Sequence, residues 1–377
     1  MKKTGLTGFG KSRYSPIGLD IGSTSVKMAQ LKKKDTGWEI SGLAVKEIDI
    51  PKDENGQHSN EDVADVIKEC MKGSSFSGKS VVSVMPGSQL DIFPVKFSLA
   101  KDESVEDAIL EKARAHLSYD VKNAVIDYIP FEDSEHEPGT DHPLRSLLIS
   151  ARREDVDNQL AILKRAKLKP AALDISACAL ARLIRLSRTD RNRNVLVVNT
   201  NNRHTSLTLI WKNNILLDRT ILWGRENVVE SLMNRLKLDR QNADGLLVRK
   251  GLDPEQGNET EQDNERNMQG KAPDVVYPII ANQIGELTAE IDKMLRYFSS
   301  EMRGAVVNQL YLMGTASMIQ GLNTYMEKRI GIVTDYYHPS DKLHMGTDDM
   351  SDDSNGVVSF FGVPVGLAIR EIPELNV

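Results

Sequence analysis

The sequence predicts an α/β protein of two similar lobes with a cleft between them, and three observations carry that prediction. A strand–turn–strand–turn–strand–helix pattern opens at Ile17 and recurs from Val195, about half the chain later. A β-α-β-β block at 91–151 has another rhythm and reads as a small α+β unit set into the first lobe. The length, 377 residues, suffices for two to three domain-sized units with cores of their own.

Residues 1–15 are basic and rich in Gly and Ser, a flexible basic leader or a Phe-bearing docking segment. The first lobe is expected over 16–90 and 152–194. Its strands are Ile17–Ile21, Ser25–Leu31 and Trp38–Ile48, separated by Gly22-Ser23-Thr24 and by 32–37. Ser59 caps a helix whose Val63, Val66, Ile67, Cys70 and Met71 recur at helical spacing. That helix ends at Gly73, and Val81–Met85 is a buried strand stopped by Pro86. The inserted unit, 91–151, holds strand Ile92–Phe97, a helix capped by Ser104, strand Val125–Phe131, a polar loop at 132–143 and strand Ser146–Ser150. Helices at Asp155–Lys167 and Ser176–Arg188 flank Leu173-Asp174-Ile175. The second lobe, 195–377, repeats the opening pattern with strands Val195–Asn199, Thr205–Trp211 and Ile215–Trp223 and a helix at Arg225–Lys237. Its helical subdomain spans about 225–302 and includes a polar loop, 253–271, and a long helix, Val275–Met302. Strand Gln309–Met313, helix Ala316–Glu327, strand Ile332–Tyr336, an acidic loop near 348–355 and a short helix after Gly362 complete the chain.

Composition excludes several classes. A net charge of −6 argues against a nucleic-acid partner. Cys70 and Cys178 are the only cysteines and fall on apolar helix positions, so they read as buried thiols of a reducing compartment. The chain carries no apolar run of membrane-spanning length and no signal-peptide pattern, which predicts a cytoplasmic protein with no direct membrane insertion.

Two motifs mislead. Gly73-Ser-Ser-Phe-Ser-Gly-Lys-Ser80 fits the P-loop pattern, but a P-loop follows a strand and opens a helix, and here the order is reversed. It reads as a helix-to-strand connector. Ser351–Gly356 resembles an EF-hand start, yet position one is Ser and position twelve is Gly362, so the bidentate carboxylate is missing. No nucleophilic triad or zinc motif occurs, and no catalytic residue is assigned.

Ile17-Gly-Leu-Asp-Ile-Gly-Ser-Thr-Ser-Val-Lys27 has the logic of a phosphate hairpin. A strand ends in Asp20, Gly22 admits phosphate to the turn's amides, and Ser23 and Thr24 add hydroxyls. Asp20 would hold Mg²⁺ through water.

This stretch resembles the first phosphate loop of the actin-like (ribonuclease H-like) ATPase superfamily, which includes sugar kinases and the cell-division protein FtsA. The chain is most similar to the PilM family of type IV pilus assembly. The similarity runs through VVSVMPGSQ at 81–89, VIDYIPF at 125–131, the stretch 147–182, LTAEIDKMLRYF at 287–298, LYLMGTASMIQGL at 310–322 and GVPVGLAIR at 362–370. The resemblance implies a two-lobed actin-like fold with an FtsA-type inserted domain. It implies ATP and Mg²⁺ in the cleft, at Asp20, Gly22, Ser23, Thr24 and Lys27, at Asn199 in the second loop, at Asp244 beside the ribose, and at Gly314 and Thr315 beside adenosine. The second loop reads Asn199-Thr-Asn-Asn202 where the superfamily has Asp-x-Gly, which removes a charge and a close backbone approach and argues against efficient hydrolysis. The implied role is a nucleotide-binding scaffold with little or no ATPase activity. It would bind the N-terminal cytoplasmic tail of a PilN-like bitopic membrane protein in a groove between the first lobe and the inserted domain. The protein would sit peripherally at the inner membrane through that partner, with a pilus motor ATPase as a further partner and homo-oligomers as a further state. The rivals are a sugar kinase, which Asn199 disfavours, and an FtsA-like division protein, which needs a C-terminal amphipathic anchor where this chain reads EIPELNV.

Overall fold

The computed structural model describes residues 13–35, 37–49, 58–99, 103–131, 144–187, 193–252, 275–338, 343–345 and 354–372. The leader up to residue 12, the polar loops 132–143 and 253–271, and the acidic loop as far as residue 353 lie outside the described residues.

The first lobe opens with β1 (Ile17–Ile21), β2 (Ser25–Lys34) and β3 (Gly37–Glu47), followed by α1 (Asn60–Lys72) and β4 (Ser80–Val84). Ser59 caps α1 by accepting from the Asp62 amide at 3.1 Å. The inserted unit holds β5 (Leu90–Phe97), α2 (Val105–His116), β6 (Ala124–Pro130) and β7 (Leu144–Arg152). Then come α3 (Arg153–Arg165), β8 (Lys169–Asp174) and α4 (Ser176–Ser187). The second lobe has β9 (Val195–Thr200), β10 (Thr205–Trp211), β11 (Asn214–Ile221), α5 (Arg225–Leu236), α6 (Arg240–Lys250) and α7 (Val276–Glu301). It continues through β12 (Gln309–Gly314), α8 (Leu322–Ile330) and β13 (Val333–Tyr336). The chain closes with β14 (Leu343–Met345), α9 (Ser354–Phe360) and α10 (Gly362–Ile369).

The internal repeat is a repeat of topology. The first sheet runs β14-β3-β2-β1-β4-β8 and the second β11-β10-β9-β12-β13. In each, the first three strands pair antiparallel and the last two add in parallel. The parallel centre of each sheet is covered on both faces, which is why β1, β4, β9 and β12 read as near-continuous apolar runs. In the first lobe α1 and α3 cover one face through Val63, Ile67 and Leu163. In the second, α5 and α7 do so through Val229, Leu232, Ile284 and Ile291. A central core lies between the sheets, where Leu180, Leu183 and Ile184 of α4 and Val365 and Leu367 of α10 meet Val197, Ile210 and Met313.

The third sheet, β5-β7-β6, belongs to the inserted unit. Ile126, Tyr128 and Leu148 face α2 on one side. Leu147, Ile149 and Ile129 face the central core on the other. The insertion is thereby clamped against the first lobe.

Some expectations are corrected. Residues 195–377 do not all stay with the second lobe: β14 pairs with β3, and α10 packs on β1, β2 and α4. The helix expected at Ala316–Glu327 is a 3-10 turn, Thr315–Met318, and then α8, because Gly321 takes the left-handed conformation at φ 70° between them. The sequence reading omitted α6, whose described buried residues are only Ala243 and Leu247, and β14, three residues long. The P-loop look-alike is a connector: Gly73 ends α1, Ser80 begins β4, and Ser77 N donates to Gln30 Oε1 at 2.7 Å. In the EF-hand look-alike, 351–353 lie outside the described residues and Ser354 starts α9.

Candidate functional site

Topological repetition brings the turns after β1 and β9 face to face across the lobes. They are built alike. Gly22 N donates to Ser25 O at 2.9 Å, and Asn201 N donates to His204 O at 2.8 Å. Asp20 and Asn199 therefore occupy equivalent places, as do Gly22 and Asn201. Neither Gly22 nor Asn201 has a positive φ, so the second turn forms without glycine. What the Asp-to-Asn difference changes is charge.

A cavity of about 340 Å³ lies between the turns, lined by Asp20, Gly22 and Ser23 from one lobe and Asn199, Asn201 and Ser206 from the other. Of the sequence-derived site residues, these strands bring together Asp20, Gly22, Ser23 and Asn199. Burial pushes the Asp20 carboxyl above its ordinary range, against the opposing pull of Lys27. Lys27 faces Asp20 across the ladder but is itself buried. Its Nζ sits 4.0 Å from the Phe360 ring centre, and desolvation lowers its pKa. It supports Asp20 and is not among the residues lining the cavity.

The other expected positions are engaged elsewhere. Thr24 Oγ1 accepts from Asn202 Nδ2 at 2.5 Å, a direct bond between the two turns and hence between the lobes. Asp244 is ion-paired with Arg225 at 2.5 Å and lies 4.0 Å from Arg240. Gly314, at φ +72°, folds its turn onto β9, where Thr315 Oγ1 and the Ala316 amide both contact Thr200 Oγ1, at 3.1 and 2.5 Å. A side chain at Gly314 would collide with the Thr200 carbonyl.

The cavity also has a wall that sequence reasoning missed: His58 before α1, and Asp155, Asn158 and Gln159 on α3. His58 Nε2 lies 3.3 Å from Ser23 O. Gln159 donates to Ser83 Oγ at 2.9 Å and Val84 O at 3.2 Å. The available signal was the polar stripe of α3 beside an otherwise apolar helix face. Burial raises Asp155, and burial together with Arg203 lowers His204.

The polar groups of this cavity suit an anionic group such as a phosphate. His58 Nδ1 and Ser206 Oγ are buried polar atoms with no hydrogen-bond partner among the described residues, and both residues line the cavity. Of the positions expected beside adenosine and ribose, Asp244 is held by Arg225 and the Gly314 turn is closed on Thr200. Among the described residues no three His, Cys, Asp or Glu side chains gather as a metal cluster, so a divalent ion would rest on Asp20 and on the phosphates themselves.

One rung below the cavity, Asp218 of β11 is buried and accepts from Thr208 Oγ1 at 2.6 Å. Burial pushes its carboxyl up to about 6 from an ordinary 3.8. The folded protein then holds this proton more tightly than the unfolded chain, so Asp218 lowers stability progressively as pH rises from about 4 to about 6. Asp218→Asn keeps the acceptor for Thr208 and removes the titration. Urea unfolding is expected to show the variant equal to wild type near pH 4 and more stable by about 1–2 kcal/mol above pH 6, after allowing for relaxation around the charge. Parallel pH profiles of the two proteins would refute the assignment.

A second concavity, of about 450 Å³, lies where the first lobe meets the inserted unit. Ile129 of β6 forms one wall. Cys178, Ala181, Arg182 and Arg185 of α4 line it, with Arg370 beyond α10. Asp174 holds Arg182 at 2.7 Å and Arg370 at 2.9 Å. Burial pushes the Cys178 thiol up to about 12, so it is an inert apolar element of the groove.

Among the described residues no helix is long and apolar enough to cross a membrane. Similar architectures occur in solved structures. The ethanolamine utilization protein EutJ from Carboxydothermus hydrogenoformans shares 11% identity at a TM-score of 0.52, over 95% of this chain and 90% of that one. MreB 5 of Spiroplasma citri bound to AMPPNP shares 11% at 0.52, over 96% of both chains. A structure of a PilM-PilN type IV pilus biogenesis complex matches at a TM-score of 0.76, with 20% identity over 95% of this chain and 99% of that one. The fold is thus that of the actin-like ATPases. Residues 18–372 match the family model of the type IV pilus assembly protein PilM, and the chain belongs to that family.

Proposed function

We propose that this protein is an actin-like scaffold of the type IV pilus inner-membrane assembly complex. It holds the N-terminal cytoplasmic tail of a PilN-like membrane protein in the groove between α4 and β6. That tail keeps it at the cytoplasmic face of the inner membrane. The observation that carries the reading is this groove, in a chain that matches the PilM family over 18–372. Its floor is apolar at Ile129, Ala181 and Ile215, which suits an apolar side chain of an extended peptide. Of its charged lining, which includes Glu371, Arg182 and Arg370 are tied into the protein through Asp174 and Arg185 through Asn213 O. A labelled synthetic peptide of the partner tail, titrated against the protein by fluorescence anisotropy, tests it. Saturable binding is expected, and no binding at concentrations up to the millimolar range would defeat the scaffold reading.

ATP is the proposed ligand of the cavity between the turns, with Mg²⁺ on the Asp20 side. The Ser23 and Ser206 hydroxyls and His58 would hold its phosphates, the Gly22 and Asn201 amides being used to close the turns, and Asp20 would orient water on the metal. Bound there, the nucleotide supplies charge that both turns grip, which ties the lobes together. Asn199 lacks the negative charge that would polarise an attacking water, so the ligand sets conformation and turns over little. Calorimetric titration with ATP and Mg²⁺ is expected to show at least a tenfold loss of affinity in Asp20→Ala. Equal affinity in both proteins, or binding in neither, would remove the phosphate-site assignment.

A further inference from the structure

A third concavity of about 340 Å³ opens on another side of the inserted unit, where it faces the second lobe. Lys96 of β5, Lys112 of α2 and Arg145 of β7 converge on it from three inserted elements, with His116 beside them. Leu216 of β11 and Tyr297 of α7 form the opposite wall. Among the described residues the one carboxylate lining it, Glu301, is ion-paired with Lys96. Lys112 and Arg145 are half-buried, and among the described residues neither has a carboxylate partner; the Arg145 guanidinium rests 3.9 Å from Met302 Sδ. Half-buried cations without counter-charge are costly unless something anionic completes them. Their convergence is pronounced in a chain whose net charge is −6.

The walls add a shape. β5 is the outer strand of its sheet and β11 the outer strand of another, and the two run close to each other. Each presents a backbone edge with no strand partner among the described residues. A narrow groove along two strands admits a peptide in extended form, held by side chains. Tyr297, 45% exposed, and Leu216 supply apolar contact between the charges.

We propose that this groove binds an extended, acidic segment of a partner protein, with carboxylates on Lys112 and Arg145 and an apolar side chain against Tyr297. The site is separate from the α4–β6 groove and from the cavity between the turns. An occupant would touch the inserted unit and the second lobe at once, and so would couple the position of the insertion to the state of the lobes.

Selection of displayed random heptapeptides on the immobilised full-length protein tests this. Enriched sequences are expected to carry two or more Asp or Glu residues around an apolar one. As synthetic peptides they are expected to bind at least tenfold more weakly to K112E/R145E, and severalfold more weakly to Tyr297→Ala. Their binding should also weaken as salt rises from 50 to 300 mM. Thermal unfolding of each variant serves as the folding control, and Lys112→Gln with Arg145→Gln gives a milder pair should charge reversal unfold the insertion. No enrichment, enrichment without acidic residues, or equal binding to wild type and to both double variants would overturn the proposal. Inorganic pyrophosphate binding that depends on Lys112 and Arg145 while no acidic peptide binds would also overturn it, leaving a small-anion site.

Discussion

Gly18→Ala is expected to leave little folded protein. Gly18 sits in the middle of β1, paired with Ala29 on one side and Val82 on the other. A methyl there would be driven into the carbonyl oxygen of Pro364 and would lie 2.9 Å from the Ala368 amide nitrogen. Both obstacles are backbone of α10, which cannot swing aside as a side-chain tip can. α10 itself has little room to retreat, because Gly366 lies against the Ala179 carbonyl of α4. The glycine thus lets a helix backbone lie directly on a strand at the junction of the lobes. Overpacking of an ordinary core costs about 1–3 kcal/mol. Displacing a helix that seals the central core should exceed that, at roughly 4 kcal/mol or more, comparable with much of a domain's net stability. The measurement is the urea midpoint, or the soluble yield if unfolding precedes purification. Gly285→Ala is the matching control: it lies inside α7 with no atom near its missing Cβ, and helix propensity predicts a gain of about 0.5–1 kcal/mol. Equal midpoints for Gly18→Ala and wild type would mean that α10 does not lie on β1.

The same contact marks what the sequence could and could not convey. Strand periodicity located β1 and β10 to the residue, because Ile17–Ile21 and Thr205–Trp211 are dense apolar runs bounded by polar turns. The Ser59 and Ser104 caps were legible for a local reason, a side chain bonding an amide three residues on. The return of β14 and α10 to the first lobe had no local signal, since nothing in an apolar helix names the sheet it will cover. The site divides likewise. Asp20, Gly22 and Ser23 were readable as one turn, whereas their meeting with Asn199 needed the second copy of the topology. Thr24 and Asn202, 178 residues apart, bond across the lobes in a way that only the assembled pair of turns reveals. Asp244, which the resemblance puts beside a ribose, is half-buried and ion-paired with Arg225, a partner 19 residues away that local sequence did not name.

Ile129→Glu is expected to abolish binding of the partner tail in a protein that still folds. Ile129 lies on the β6 face that looks toward α4, half-buried, where the groove is narrowest in chemistry: apolar wall on one side, guanidinium groups on the other. A carboxylate there would do two things at once. It would remove the apolar surface that an extended peptide buries, and it would add a desolvation cost to any apolar side chain placed there. Losing one buried aliphatic anchor costs about 2 kcal/mol, and the desolvation adds to it, so affinity should fall at least a hundredfold. Ile129 also packs against the central core, so the substitution should cost stability of about 1–3 kcal/mol, and the unfolding midpoint is measured beside the binding to show that the variant is folded. Val125→Glu separates groove from strand: Val125 lies on the same face of β6 but is 37% exposed at its other end, so its substitution should leave tail affinity within twofold. Anisotropy titrations of the three proteins with one labelled tail peptide decide the matter. If Ile129→Glu binds the tail as wild type does, the tail lies elsewhere, and the acidic-segment groove at Lys112 and Arg145 becomes the next surface to titrate with that same peptide. If Val125→Glu also loses binding, the effect comes from the whole inserted sheet shifting on α4, and the groove's own side chains lose their claim to specificity.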